Sequence, residues 1–126
     1  MEMKFFKCNE CGDIIAIVKE SGAKFTCDGK EMVELVPKTA DSATEKHVPV
    51  VKVDGNLVTV TVGSTLHPMA EEHFIQWVSL QTEQGNQRKA LVPGQEPAVT
   101  FALTPGDKVV AAYEYCNLHG LWKAEL

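Results

Sequence analysis

Apolar and polar residues alternate with a period close to two along most of the chain, the signature of strands that bury one face. Val51-Lys52-Val53 and Leu57-Val58-Thr59-Val60-Thr61-Val62 show it most clearly. Asp54-Gly55-Asn56 between them is a hairpin signal, with Asn56 expected to lengthen the loop. Further strands are predicted over 74–81, 88–92, 98–103 and 108–115, punctuated by Gly85-Asn86, Pro93-Gly94 and Pro105-Gly106. No stretch carries a convincing helical period, so long helices are not expected. Regular short strands rich in Val, Thr and aromatic residues predict an all-β protein whose main body is an antiparallel β-sandwich.

Residues 1–36 read as a separate small module. Cys8-Asn9-Glu10-Cys11-Gly12 is a C-x-x-C knuckle, in which two thiolates from one tight turn face a common point and glycine permits the backbone that follows. Ile14, Ile15, Ile17 and Val18 then read as a strand, and a turn at Cys27-Asp28-Gly29-Lys30 leads to a strand-like Met32-Val33-Glu34-Leu35-Val36. So short a segment buries too little surface to be stable without a metal or a neighbour. Cys8, Cys11 and Cys27 supply three thiolates, and two readings of Asp28 stand side by side. Its carboxylate completes a tetrahedral zinc or iron site, or it is a turn residue before Gly29 and the site is defective. Residues 37–44 are polar and read as a linker into the main domain, 37–126.

Composition narrows the function. The 126 residues, 44% of them hydrophobic, suffice for one ordinary domain with a small appendage. A net charge of -5 argues against a general nucleic-acid or anionic-membrane binder, which needs clustered Lys and Arg. The N-terminus lacks the long apolar core of a secretory signal, and no stretch approaches the roughly 20 apolar residues that span a bilayer. A cytoplasmic protein is expected. In that setting four cysteines are ligands or redox groups rather than a disulfide framework.

Cys116-Asn117-Leu118-His119 can turn a thiolate and an imidazole onto one metal, because a tight loop brings both side chains to the same side. The remaining histidines, His47, His67 and His73, also fall at the ends of predicted elements, where a sandwich gathers its loops. His47 precedes Val48-Pro49 and His67 precedes Pro68, both contexts that hold the backbone extended. With Cys116 and His119 they form a set of five that can converge.

Four motifs in order carry a family resemblance: Glu45-Lys46-His47-Val48-Pro49-Val50; Val62-Gly63-Ser64 with His67-Pro68-Met69; Glu72-His73 with Trp77; and Glu114-Tyr115-Cys116-Asn117-Leu118-His119-Gly120. Over roughly residues 38–124 the chain resembles the superoxide reductases of the desulfoferrodoxin and neelaredoxin group. The resemblance implies a seven-stranded immunoglobulin-like sandwich that holds a mononuclear non-haem iron. His47, His67, His73 and His119 would be its equatorial ligands and Cys116 its axial one. It implies one-electron reduction of superoxide to hydrogen peroxide, with an external donor such as rubredoxin restoring ferrous iron, and a homodimer. Glu45 would close the vacant sixth position after oxidation, and Lys46 would steer the anion and organise a proton-donating water. The first 36 residues resemble the desulforedoxin-type, rubredoxin-like module of two-iron members, but depart where the family has an adjacent pair of cysteines, since Asp28 follows Cys27. A second iron or zinc there, and any electron relay through it, would need Asp28 in place of the fourth thiolate.

The residues alone leave other chemistries open. A zinc-ribbon or electron-transfer module would use Cys8, Cys11 and Cys27 and leave the histidines idle. A zinc hydrolase with Glu45 as base, or a metal-free interaction sandwich, would need fewer donors than the five present; five nitrogen and sulfur donors exceed zinc's tetrahedral habit and suit iron better.

Overall fold

The computed structural model describes residues 2–41 and 46–126, so Glu45 lies outside the described residues. The chain divides into two compact units, Met1–Val36 and Pro37–Leu126.

In the first unit, β1 (Phe5–Lys7) pairs antiparallel with β2 (Ile14–Ala16) and with β5 (Val33–Glu34). A separate hairpin joins β3 (Thr26–Cys27) to β4 (Lys30–Glu31). Phe5 and Met32 are buried, while Val18, expected in a strand, lies beyond β2 and is 98% exposed. Asp28 and Gly29 form the two-residue loop between Cys27 and Lys30, with φ of 48° and 77°. Two successive residues at positive φ are what a type I′ hairpin turn demands, and Asp-Gly supplies them readily. Of the two readings of Asp28, the turn is the one its backbone expresses.

Among the described residues the second unit has seven strands in two antiparallel sheets. Strands β6 (Pro49–Asp54), β7 (Leu57–Val62) and β10 (Ala98–Ala102) form one, in the order β10-β7-β6. Strands β8 (Ile75–Thr82), β9 (Gly85–Ala90), β11 (Val109–Cys116) and β12 (Gly120–Glu125) form the other, in the order β12-β11-β8-β9. Alternate residues of β7, Val58, Val60 and Val62, meet Ile75, Val78 and Leu80 of β8, Phe101 of β10 and Ala112 of β11 in one core. This is the sandwich that period-two alternation predicts.

Several boundaries differ from expectation for physical reasons. Asp54 pairs with Leu57, so the β6–β7 loop is the two residues Gly55-Asn56 rather than three. Only Gly55 takes positive φ, 61°, as in a type II′ turn. Strand β9 starts at Gly85, inside what reads as a turn, because backbone pairing with β8 defines it while most of its side chains are exposed. Strand β12 was not predicted. Lys38, read as linker, runs along its edge: its N–H donates to the Leu121 carbonyl at 2.9 Å and its carbonyl accepts from the Lys123 N–H at 2.9 Å.

Candidate metal centre

The local fold delivers each donor separately. Cys116 ends β11 and Gly120 opens β12, and these two residues pair across the three-residue loop 117–119. Gly120 sits at φ 84°, a value that closes such a loop without a Cβ penalty, so Cys116 and His119 emerge on the same side. Between Tyr115 and Cys116 the register with β8 shifts, Tyr115 facing Trp77 and Cys116 facing Ile75. The extra residue on β8 lets both Ile75 and Val78 point into the core, where strict alternation would turn one of them out.

The three other histidines come from loops fixed by side-chain clamps. Asp41 Oδ1 accepts hydrogen bonds from the His47 and Val48 N–H groups at 2.6 and 2.8 Å. Gly63, at φ 84°, lies against this loop; a Cβ there would come within 2.6 Å of the Lys46 carbonyl oxygen and 2.5 Å of that of Thr65. Asn117 grips both sides of His73: its Oδ1 accepts from the Phe74 N–H at 2.9 Å and its Nδ2 donates to the Glu72 carbonyl at 3.1 Å. His67 Nδ1 lies 2.8 Å from the Pro68 carbonyl, an acceptor only, so that nitrogen carries the proton and Nε2 presents its lone pair.

These restraints bring all five predicted donors together. One ligand atom from each of His47, His67, His73, Cys116 and His119 lies within 4.8 Å of every other. The imidazoles contact one another in a closed cycle, His47 to His67 to His73 to His119 and back, with centroids 4.6, 4.7, 5.1 and 4.8 Å apart and interplanar angles of 61° to 83°. Cys116 Sγ is 3.7 Å from His67 Nε2 and 3.8 Å from His119 Nδ1. His47, His67 and Cys116 are buried, whereas His73 and His119 keep part of their surface open. Trp122 stacks on His47 at 4.6 Å and 10°, and the Lys38 ammonium lies 5.1 Å from the Trp122 ring while donating to the His119 carbonyl at 2.9 Å.

The donor chemistry fits iron. One thiolate and four imidazoles exceed the four ligands of a closed zinc site and leave an octahedral ion one open position. Lys46 immediately precedes His47 and is partly exposed. Sequence reasoning overlooked Asp41, Asn117, Trp122 and Lys38 as supporting residues; only Asn117, inside the Cys-x-x-His motif, offered a signal. Glu114 is a further surprise. It is fully buried on β11 between Val78 and Trp122, neither carboxylate oxygen has a hydrogen-bond partner among the described residues, and burial, with a smaller contribution from the Asp41 charge, pushes its pKa up to about 9.

In the first unit, the thiols of Cys8, Cys11 and Cys27 also lie within 4.8 Å of one another, and Asp28 is not part of that group. The Cys11 N–H donates to Cys8 Sγ at 3.4 Å, as a C-x-x-C knuckle requires.

A family model described as Desulfoferrodoxin matches residues 39–125. The desulfoferrodoxin of Nitratidesulfovibrio vulgaris (strain Hildenborough) is 44% identical over 124 residues, 98% of this chain and 97% of that one. A superoxide reductase of Pyrococcus horikoshii is 37% identical over 112 residues, covering 75% of this chain and 97% of its own. The crystal structure of the superoxide reductase from Treponema pallidum superposes with a TM-score of 0.87 at 42% identity, covering 98% of both chains. With the five predicted donors gathered at one point of the sandwich, with the family model matching residues 39–125, and with a 44% identical relative spanning 98% of its length, the chain belongs to the desulfoferrodoxin family.

Proposed function

We infer that this chain is a superoxide reductase, converting superoxide to hydrogen peroxide with one electron and two protons. The observation that carries the reading is the closed cycle of four imidazoles with a buried thiol against it. His47, His67, His73, His119 and Cys116 would hold a mononuclear iron. Such an iron would supply the electron in its ferrous state, and the Cys116 thiolate would enrich it electronically.

The chain's own residues do the rest. Trp122 and the buried ring of His47 exclude water from one side, while the partly open His73 and His119 leave a way in for a diatomic anion. Lys46 attracts that anion and orders a proton-donating water. Glu45, two residues before His47 in the chain, would supply a carboxylate to the metal. Residues 37–126 are the catalytic domain and residues 1–36 a desulforedoxin-like module with a degenerate metal site. A small iron protein of the rubredoxin kind would return the electron. Leu66 and Leu118, 65% and 60% exposed and each adjoining a ligand histidine, offer apolar surface for its docking. Val50, Val53 and Leu57, exposed on the β6–β7 pair, support a homodimer. Four cysteines outside any disulfide suit a cytoplasmic setting, and among the described residues no helix is long and apolar enough to cross a membrane.

Iron quantitation with a visible spectrum of the oxidised protein tests the assignment. A thiolate-to-ferric charge-transfer band that Cys116→Ser abolishes is expected, at one iron per second unit. A colourless protein holding zinc instead would refute it.

A further inference from the structure

The three thiols of the first unit stand where the family resemblance implies a tetrathiolate iron, and they do not fit one. Only three sulfurs converge, and the residue in the fourth position, Asp28, is committed to the β3–β4 turn with its carboxylate outside the group. Each sulfur lies within reach of the other two, and one pair is distinguished by its access to solvent. Cys11 Sγ and Cys27 Sγ are in contact at 3.3 Å, and Cys11 is exposed and Cys27 half-buried, whereas Cys8 is 1% exposed and its sulfur accepts the Cys11 N–H. Sulfurs bound to one tetrahedral metal at about 2.3 Å each are held roughly 3.8 Å apart by the ion between them. The Cys11–Cys27 contact is closer than that, and lies between such a spacing and the roughly 2.05 Å of a disulfide. Cys27 also lines an open groove with Ile15, Phe25 and Met32, so a small oxidant or a reducing thiol has access.

We propose that Cys11 and Cys27 form a peroxide-responsive dithiol, a second reactive site that reads the level of hydrogen peroxide around the enzyme. The Cys11 thiolate attacks one oxygen of hydrogen peroxide, the O–O bond breaks, and hydroxide leaves, giving a sulfenic acid. The Cys27 sulfur then displaces the sulfenic oxygen as water. The two thiols are oxidised by two electrons to one disulfide, and one peroxide is reduced to two waters. The oxidant is the product of the reaction inferred above, so the proposal rests on that reading for its source of peroxide and on nothing else.

The test adds peroxide from outside to the full-length protein, after treatment with a dithiol reductant and a chelator and removal of both. Thiol titration should show a loss of two thiols per chain at stoichiometric peroxide, and peptide mass mapping should find Cys11 joined to Cys27. Reductant should restore both thiols. Cys8→Ser should leave the disulfide intact, and Cys27→Ser should abolish it and leave a sulfenic acid at Cys11 that a dimedone probe captures. Three results would each overturn the proposal. One is an unchanged thiol count; another is a disulfide that uses Cys8 in place of either partner. The third is a metal in the untreated protein, beyond that of the histidine cluster, that Cys27→Ser releases. Superoxide turnover does not enter any of these readouts, so failure here leaves the function of the histidine cluster standing, and failure of that function leaves this test intact.

Discussion

Asn117 acts on its neighbour's loop rather than on any substrate: one amide bonds the residues on either side of His73 and so fixes the direction of that imidazole. Asn117→Ala removes two hydrogen bonds of about 1 kcal/mol each. It should also lower metal affinity about 10–100-fold, the usual cost of losing a residue that orients a ligand. Competition with a chelator measures it, and iron retention equal to that of the parent would show that His73 is oriented by other means. Glu114 makes a different prediction. Its carboxyl ordinarily titrates at 4.5 but is pushed to about 9 by burial, so between those values the unfolded chain releases a proton that the folded chain keeps. Stability of the metal-free protein is then greatest below the lower value and declines as pH rises toward the upper one. Glu114→Gln, neutral at every pH, should flatten the decline; urea midpoints at about pH 5 and about pH 8.5 would show it. An identical slope in both proteins would assign the titration elsewhere. Neither residue was legible as a structural part. Asn117 lies inside a motif whose Cys and His attract the attention, and an acid amid Val, Tyr and Cys reads as an outward strand position when this one is sealed inside.

Strand β7 was legible because its Val-Thr alternation is a direct record of one face against the core, and β6 and β10 carry a shorter stretch of the same period; β11, buried from Ala111 to Cys116, was legible instead from its run of apolar and aromatic residues. Strand β12 was not, because three consecutive residues, Leu121, Trp122 and Lys123, are all buried and erase the period. Lys123 is hidden over the Tyr113 ring at 5.4 Å with its ammonium on Glu125 at 2.6 Å, so a charge that reads as a loop lies in a sheet. That the histidines could converge was readable from their positions at strand ends, but that they do rested on the resemblance, since no local pattern encodes how far apart loops 47, 67, 73 and 119 finish. At this scale Gly63 is the joint between β7 and the His47 loop. Gly63→Ala places a residue at positive φ, costing about 1–2 kcal/mol. It also drives a methyl into two backbone carbonyls that have no flexible end to yield. The midpoint of thermal unfolding should fall by at least about 4–8 °C, the shift that 1 kcal/mol produces in a domain of this size. Iron binding should weaken with it. A variant as stable as the parent would mean that the Lys46 backbone moves freely, and with it the claim that this loop is pre-set.

The whole molecule is an anion whose substrate is an anion. A net charge of -5 repels superoxide at long range, and salt relieves that repulsion, so the bare charge predicts a rate that rises with ionic strength. A local cation at the mouth of the site reverses the sign, because at physiological salt the screening length is about 8 Å and a charge next to the metal outweighs the distant surface. Lys46, adjoining His47 in the chain, is the cation we propose for that role. Lys38, bonded to the His119 carbonyl, has its ammonium set against the Trp122 ring instead. Lys46→Met should therefore slow the second-order reaction with superoxide by about tenfold or more and flatten or invert its fall with salt. Lys52→Met is the control: it is exposed on β6 and changes net charge by the same amount. If steering depends on total charge the two variants should behave alike in pulse radiolysis across a salt series; if it depends on place, only Lys46→Met should change the slope. Equal effects would remove Lys46 from the mechanism, and the site's attraction for superoxide would then fall to the metal alone.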